Sequence, residues 1–304
     1  MFVEEYLQEL RRDRFAPHAL LRYARRAAGR AREDWVSNPS AVRSVWNIAL
    51  GFFAAAFAGA VAISLGYDRR LAYDFFLRTA LWIPPAFGFV TLYLGLLRDR
   101  DGYRLSALNL PILLTLVRLV LAPGIALFVV DRHFALAFSA YLLASLTDVG
   151  DGWLARRWGQ ITALGTALDP LVDIVFHLAI LGGLHAAGLL PTWVFAVAAL
   201  RYGMLLVGGA CLHLFVGPVK IQPTAFGRFT GVMMSALVML LMLLPVLRPG
   251  VAAKLEPLTV IALGVLFSAT VVQVAVLGWY NLRLMQGEEQ ARGRVVGDVR
   301  WDGR

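Results

Sequence analysis

The chain has 304 residues, of which 59% are hydrophobic and only 16% are charged, and its formal net charge is +9. Soluble domains carry about 25% charged residues, so this composition excludes an ordinary soluble domain. The apolar residues come in long uncharged runs, which predicts an all-α polytopic membrane protein. A single cysteine, Cys211, excludes an intrachain disulfide framework. No aromatic-rich basic patch accompanies the positive charge, so we assign that charge to membrane topology and not to nucleic acid.

The amino-terminal segment, residues 1–44, holds nine arginines and six acidic residues between apolar positions. This pattern predicts a cytoplasmic segment of one or two amphipathic helices, broken near Pro17 and lying on the membrane face. A soluble cap over the core and a charged tail that only sets the topology are the alternatives.

Hydropathy predicts eight membrane spans, which cover about 44–67, 74–97, 107–130, 133–150, 163–186, 190–214, 228–247 and 257–281. The first two spans and the charged linker form a segment over 45–104. The remaining six spans form a domain over 105–285, and a polar cytoplasmic tail covers 286–304. Eight spans place both termini and the most basic loops on one side of the membrane. That side is therefore predicted to be the cytoplasmic side of an inner membrane.

Four aspartates stand out within this apolar chain, in two pairs spaced three and four residues apart: Asp148, Asp151, Asp169 and Asp173. On helices each pair shares one face, and the pairs are predicted to meet where one span ends and the next begins. Clustered carboxylates repel one another and suit hard divalent cations such as Mg²⁺ or Mn²⁺. Gly152 and Gly165 would let the backbone approach a pyrophosphate. An ion-transport site and a purely structural acidic loop are the alternatives.

These residues resemble the signature of the CDP-alcohol phosphotransferase family, D-x2-D-G-x2-A-R-x8-G-x3-D-x3-D, and every fixed position is matched. The resemblance implies the six-helix family core over about 105–285 and CDP-diacylglycerol as the donor. It further implies that the four aspartates hold two divalent cations and that Asp173 is the general base. By the same resemblance, the nucleotide pocket is shaped by Gly152, Ala155, Arg156 and Gly165.

The kind of acceptor is predicted from two features: the cationic side chains near the acids, and the branch of the family that the motif resembles. Cations suit an acceptor that itself carries phosphate, and four are placed near the acids: Arg118, Arg201, Lys220 and Arg228. An internal ion pair with an aspartate is the alternative for Arg118. The motif is most similar to the phosphatidylglycerophosphate synthase branch, which implies glycerol 3-phosphate. Three positions depart from that branch, where asparagine, lysine and glutamate are usual: Ile112, Ile174 and Tyr202.

Other outcomes stay open at this point. The acceptor alternatives are inositol phosphate, serine and a lipid alcohol such as phosphatidylglycerol. From other classes, a divalent-cation transporter and a non-catalytic scaffold are the alternatives. The family resemblance alone suggests a homodimer.

Overall fold

The structure, a computed structural model, describes residues 12–13, 16–211 and 225–297, without the side chains of 149, 151, 281 and 284–297. Nine helices are described: α1 Pro17–Ser37, α2 Pro39–Gly66, α3 Arg69–Leu92, α4 Leu110–Val130, α5 Phe134–Arg157, α6 Ala163–Ala186, α7 Thr192–Gly203, α8 Ala225–Leu243 and α9 Pro249–Gly297. A π-helical turn, Met204–Gly208, continues α7. The prediction of an all-α polytopic membrane protein is confirmed.

Seven of the described helical segments are long and apolar enough to cross a membrane, and they contain α2, α3, α4, α6, α7, α8 and α9. The predicted span at 133–150 lies in α5, which has 24 residues but does not belong to this set. Two aspartates and two arginines in its carboxyl-terminal half reduce its hydropathy. The count of eight spans therefore stays a prediction.

Several helix ends differ from the predicted ends, for reasons found in the local sequence. Helix α2 begins at Pro39 because the Asn38 side chain accepts a hydrogen bond from Ala41 N and so caps it. Helix α5 continues past both of its aspartates to Arg157, so these acids do not close the helix. Two arginines in its last turn favour this continuation, because their positive charges interact favourably with the negative end of the helix dipole.

The helices pack around two apolar clusters. The larger cluster joins the carboxyl-terminal halves of α4 and α6 to α5, α7, α8 and α9, and it also contains residues from the end of α2 and the start of α3. The smaller cluster joins α2 and α3 to the amino-terminal halves of α4 and α6, through residues such as Val45, Phe87, Ile112, Leu116 and Leu168. Helix α4 packs against α3, α5 and α6, so it connects the amino-terminal helices to the helices that carry the aspartates.

Candidate active site

Helix α4 supplies two buried polar side chains to the region of the predicted acids. Thr115 and Arg118 lie one turn apart on this helix, with only 1% and 3% of their surface exposed. The first acidic pair lies on α5 and the second on α6, and both helices pack against α4. The polar face of α4 is therefore available to both acidic pairs.

Arg118 connects an aspartate of α5 to an aspartate of α6. Its Nη1 donates a hydrogen bond to Asp173 Oδ1 at 2.6 Å and another to Asp148 Oδ1. A buried guanidinium requires a compensating charge, and these two carboxylates, 54% exposed for Asp148 and 43% for Asp173, supply it. The contact is the internal ion pair that was the alternative for Arg118. Binding of an anionic substrate group by Arg118 stays a prediction.

Of the other two acids, the structure describes the side chain of Asp169 but not that of Asp151. Asp169 lies one turn before Asp173 on α6, and its Oδ1 accepts a hydrogen bond from Thr115 Oγ1 at 2.8 Å. Asp151 follows Asp148 on α5, but its side chain is outside the described part of the chain. The structure therefore places three of the four predicted metal ligands around the polar face of α4.

The described acids fit a hard divalent cation in their chemistry. Asp148 and Asp173 contact the same nitrogen of Arg118, so their oxygens lie within about two hydrogen-bond lengths of each other. Carboxylate oxygens are the ligands that Mg²⁺ and Mn²⁺ prefer. Among the described side chains, no three acidic, histidine or cysteine residues form a group that could hold a metal. The guanidinium supplies the positive charge between these two acids.

A cavity of about 190 Å³ opens beside Asp169. It lies between the amino-terminal ends of α4 and α6 and the carboxyl-terminal end of α5, and it is lined by Pro111, Ile112, Thr115, Gly152, Ala155, Arg156, Gln160, Ile161, Thr162, Gly165, Thr166 and Asp169. All four positions that the resemblance assigns to the nucleotide pocket are among them. The structure therefore brings these signature positions together around one opening.

The start of α6 shapes this cavity. Thr162 is buried, and its Oγ1 caps the helix by accepting a hydrogen bond from Gly165 N at 3.0 Å. A Cβ atom on Gly165 would lie 3.1 Å from Thr162 Oγ1 and 3.5 Å from Ile112 Cγ1. The absence of a side chain therefore leaves room for the capping hydroxyl group of Thr162, while the distance to Ile112 of α4 is an ordinary van der Waals contact.

Sequence reasoning missed three polar residues that line the cavity, Gln160 and Thr162 of the α5–α6 loop and Thr166 in the first turn of α6. The spacing of Thr162 and Gly165 is typical of a helix cap, and this signal was available in the sequence. The contribution of Gln160 was not available, because it depends on the path of the loop.

The predicted acceptor cations do not form one described cluster. Arg201 places its guanidinium 4.7 Å from the centre of the Tyr202 ring, and its buried Nε has no hydrogen-bond partner among the described residues. Arg228 is exposed on α8. Lys220 lies outside the described residues. Only Arg118 contacts the acids among the described members of this set.

The three positions that depart from the branch pattern are all buried. Ile112 lines the cavity with an apolar side chain. Ile174 belongs to the larger apolar cluster. Tyr202 stacks on His177 at a ring separation of 5.7 Å, and His177 Nδ1 lies 2.7 Å from the carbonyl oxygen of Asp173. His177 is thus a packing residue, and no lysine or glutamate charge is present at these positions.

Comparison with known proteins gives one family. The model of the CDP-alcohol phosphatidyltransferase family matches residues 108–280. The chain is 32% identical over 130 residues to CDP-diacylglycerol–glycerol-3-phosphate 3-phosphatidyltransferase of Aquifex aeolicus, covering 42% of this chain and 72% of that protein. It is 32% identical over 127 residues to the probable cardiolipin synthase (CMP-forming) of Drosophila melanogaster, covering 41% of this chain and 38% of the relative.

Two further relatives carry the names phosphatidylglycerophosphate synthase and cardiolipin synthase. The chain is 33% identical over 147 residues to the probable phosphatidylglycerophosphate synthase of Mycobacterium tuberculosis, covering 46% of this chain and 68% of that protein. The human cardiolipin synthase (CMP-forming) is 39% identical, but the alignment spans only 28% of its length. The relatives therefore carry the names of two kinds of enzyme.

Proposed function

Because the chain belongs to the CDP-alcohol phosphatidyltransferase family, we propose that it transfers a phosphatidyl group from CDP-diacylglycerol to an alcohol and releases CMP. The observation that supports this most is the placement of the signature. Its nucleotide positions line one cavity, and Asp148 and Asp173 meet Arg118 about one helical turn further from the helix ends.

The donor would occupy the cavity with its cytidine diphosphate group. Gly165 leaves room for the Thr162 hydroxyl group that caps α6, and Gly152 presents backbone without a side chain. Arg156 lies on the same wall and can pair with a phosphate oxygen. The resulting site takes a charged head group near the helix ends while the acyl chains remain among the apolar helices.

Asp148, Asp151, Asp169 and Asp173 would hold two divalent cations, Mg²⁺ or Mn²⁺, which when bound neutralise the diphosphate and make CMP a better leaving group. Arg118 contacts two of these carboxylates, so it positions them from the buried side. Thr115 positions Asp169 in the same way through its hydroxyl group.

The transfer itself is a single displacement. The acceptor hydroxyl oxygen forms a bond to the β-phosphorus, and the bond from that phosphorus to the oxygen shared with CMP breaks, with its electron pair leaving on CMP. Asp173 takes the proton of the acceptor hydroxyl group. Its Oδ1 is held by Arg118 at 2.6 Å, so the carboxylate has a fixed orientation on α6.

The proposed acceptor is glycerol 3-phosphate, which gives phosphatidylglycerophosphate. Arg201 supports a phosphorylated acceptor because its buried Nε has no hydrogen-bond partner among the described residues. Arg118, Lys220 and Arg228 are further candidates for phosphate contacts. Two relatives whose names refer to phosphatidylglycerophosphate or to glycerol 3-phosphate agree with this choice.

Phosphatidylglycerol is a second candidate acceptor. The positions where the phosphatidylglycerophosphate synthase branch usually has lysine and glutamate hold Ile174 and Tyr202, and both side chains are buried among apolar residues. This reduces the charge available to a small phosphorylated acceptor. Relatives named cardiolipin synthase (CMP-forming) are consistent with a lipid alcohol as acceptor.

We further propose that the site faces the cytoplasm from an inner membrane. The loop 158–162 lies at the same end of the molecule as residues 98–109, since the two segments are joined by hydrogen bonds. Residues 98–109 contain three arginines, and Arg156 and Arg157 end α5 just before the loop. Such basic residues beside membrane spans are typical of the cytoplasmic side. Water-soluble acceptors and membrane-bound CDP-diacylglycerol can meet there.

The test is CMP release by the purified protein from CDP-diacylglycerol with Mg²⁺ or Mn²⁺ and a panel of acceptors. Release that requires metal and glycerol 3-phosphate supports the full proposal. Release only with phosphatidylglycerol keeps the reaction and changes the acceptor. An absence of CMP with every acceptor contradicts the enzymatic proposal and favours a non-catalytic scaffold, while metal uptake into vesicles would favour a transporter.

A further inference from the structure

A short hairpin precedes the region that matches the family, and it contacts the start of α6 beside the cavity. Leu105 N donates to Leu97 O at 3.0 Å, and Arg98 and Arg104 form an antiparallel bridge. Asp99 Oδ1 accepts hydrogen bonds from Asp101 N and Tyr103 N and so closes the turn. We call residues 97–105 the hairpin. All of it lies before residue 108, where the family match begins.

The hairpin is fixed on one side to the amino-terminal helices. Arg104 Nη2 lies 2.9 Å from Asp34 Oδ1. Asn38 caps α2 with its Oδ1 and at the same time donates from Nδ2 to Leu105 O at 2.8 Å. A Cβ atom on Gly95 would lie only 2.2 Å from Asp34 Oδ2. Helix α1 therefore packs tightly on the segment that leads into the hairpin.

On its other side the hairpin contacts the loop that lines the cavity. Ala163 N, at the first position of α6, donates to Arg98 O at 3.2 Å. Just after the hairpin, Asn109 Nδ2 donates to Gln160 O at 2.8 Å. Asn109 also caps α4, because its Oδ1 accepts a hydrogen bond from Ile112 N. Both ends of the 160–163 segment are thus attached to residues 98–109.

Apolar packing reinforces these polar contacts. Leu97 is 1% exposed and belongs to the same cluster as Leu164 and the cavity residue Ile112. The cluster also contains Val45 of α2 and Phe87 of α3. A displacement of the amino-terminal helices would therefore move the start of α6 and the wall of the cavity together.

We infer that the amino-terminal helices and the hairpin, residues 17–105, together with Asn109 at the cap of α4, position the nucleotide pocket through the contacts of Arg98 O with Ala163 N and of Asn109 with Gln160 O. The inference rests on the proposed function, since it assumes that the cavity binds the cytidine diphosphate group. It assigns Asn109 as a positioning residue for the donor substrate. The amino-terminal segment then determines affinity for the donor without touching the reacting atoms.

The first test is Ala163→Pro in the full-length protein. Proline has no N–H group, so the bond to Arg98 O is lost, but proline is well tolerated at the first position of a helix. Thr162, which precedes it, has φ −120° and ψ 153°, the conformation that a residue before proline prefers. The matched control is Arg69→Pro, at the first position of α3 after the extended Asp68.

The second test is Asn109→Ser. Serine also caps helices, so the cap of α4 is kept while the donor to Gln160 O is removed. Asp68→Ser, at the cap of α3, is its matched control, because Asp68 caps its helix without contacting the loop 160–163. The measurements are the affinity for CDP with Mg²⁺, the KM for CDP-diacylglycerol, kcat and the thermal midpoint.

The expected result is a loss of about threefold to tenfold in CDP affinity for Ala163→Pro and Asn109→Ser, the range of one hydrogen bond. The KM for CDP-diacylglycerol rises equally, kcat stays within twofold, and the thermal midpoint of Ala163→Pro is unchanged or higher. Unchanged CDP affinity in both variants overturns the inference. A wild-type protein that binds no CDP overturns the proposed function instead, so the two failures are distinguishable.

Discussion

Arg118 on α4 and Asp173 on α6 form an ion pair, with 2.6 Å between Nη1 and Oδ1. The same nitrogen contacts Asp148 on α5. One buried side chain of α4 therefore contacts both of the helices, α5 and α6, that carry the signature aspartates. The proposed general base is oriented by a residue 55 positions away in the sequence.

Asp173→Asn is expected to lower CMP release by at least about 100-fold, since a general base contributes typically 10²–10⁴-fold. The amide keeps the size of the side chain, so the helices remain packed. The measurement is the initial rate of CMP release with saturating donor and metal. Asp131→Asn, at the carboxyl-terminal end of α4, is the control that should retain activity. A fully active Asp173→Asn protein would exclude the assigned role.

Arg118→Gln is expected to destabilise the protein most strongly in the absence of divalent metal. Removing one partner of a buried ion pair costs about 3–5 kcal/mol, and the exposure of both carboxylates reduces the cost here. Mg²⁺ could replace part of the missing charge between Asp148 and Asp173. The thermal midpoint should therefore rise more with Mg²⁺ in this variant than in the wild type.

The control for that measurement is Arg104→Gln, which removes the ion pair with Asp34 at a distance from the acids. Its thermal midpoint should respond to Mg²⁺ as the wild type does. If Arg118→Gln also shows the wild-type response, then Arg118 does not share its position with metal.

Gly165→Ala is expected to raise the KM for CDP-diacylglycerol by about tenfold. A Cβ atom would lie 3.1 Å from the capping hydroxyl group of Thr162, so the cap at the wall of the cavity must shift, at a cost of about 1 kcal/mol. Steady-state kinetics with varied donor measure the effect. Gly88→Ala in α3, where nothing lies within 4 Å, should leave the KM unchanged. Equal KM values for both variants would show that donor binding does not require glycine at position 165.

Arg201→Gln is expected to raise the KM for glycerol 3-phosphate several-fold and to leave the KM for CDP-diacylglycerol unchanged. The guanidinium is held against Tyr202 at 4.7 Å with its Nε lacking a hydrogen-bond partner among the described residues, so a phosphate contact would be lost. Arg283→Gln is a suitable control, because Arg283 stacks on Trp279 at 5.1 Å in a similar way. An unchanged KM for glycerol 3-phosphate in Arg201→Gln would remove this residue from the acceptor site.

Hydropathy predicted the helices well, because an apolar run long enough to span a membrane has few alternatives to a helix. The span predicted at 163–186 agrees with α6, Ala163–Ala186. Helix ends were less predictable. The predicted start at 44 was late because Asn38 and Pro39 begin α2. In α9 the helix continues to Gly297 through residues that were assigned to a polar tail.

The sequence by itself determined the residue types of the site. Eight fixed positions within 26 residues specify the acids and the small residues, and their local spacing places them on two consecutive helices. The spacing follows from helical periodicity, which is a property of neighbouring residues. The family model matches residues 108–280, which include all eight of these positions.

Only the tertiary structure decided which partners these residues have. Arg118 meets Asp148 and Asp173 because α4 packs against both α5 and α6. The contact of Asn109 with Gln160 joins residues 51 positions apart. Such contacts depend on how helices pack and how loops turn, and no local pattern encodes them. The charge balance of the site and its attachment to the amino-terminal helices therefore follow from packing, whereas the chemistry of its side chains follows from the sequence.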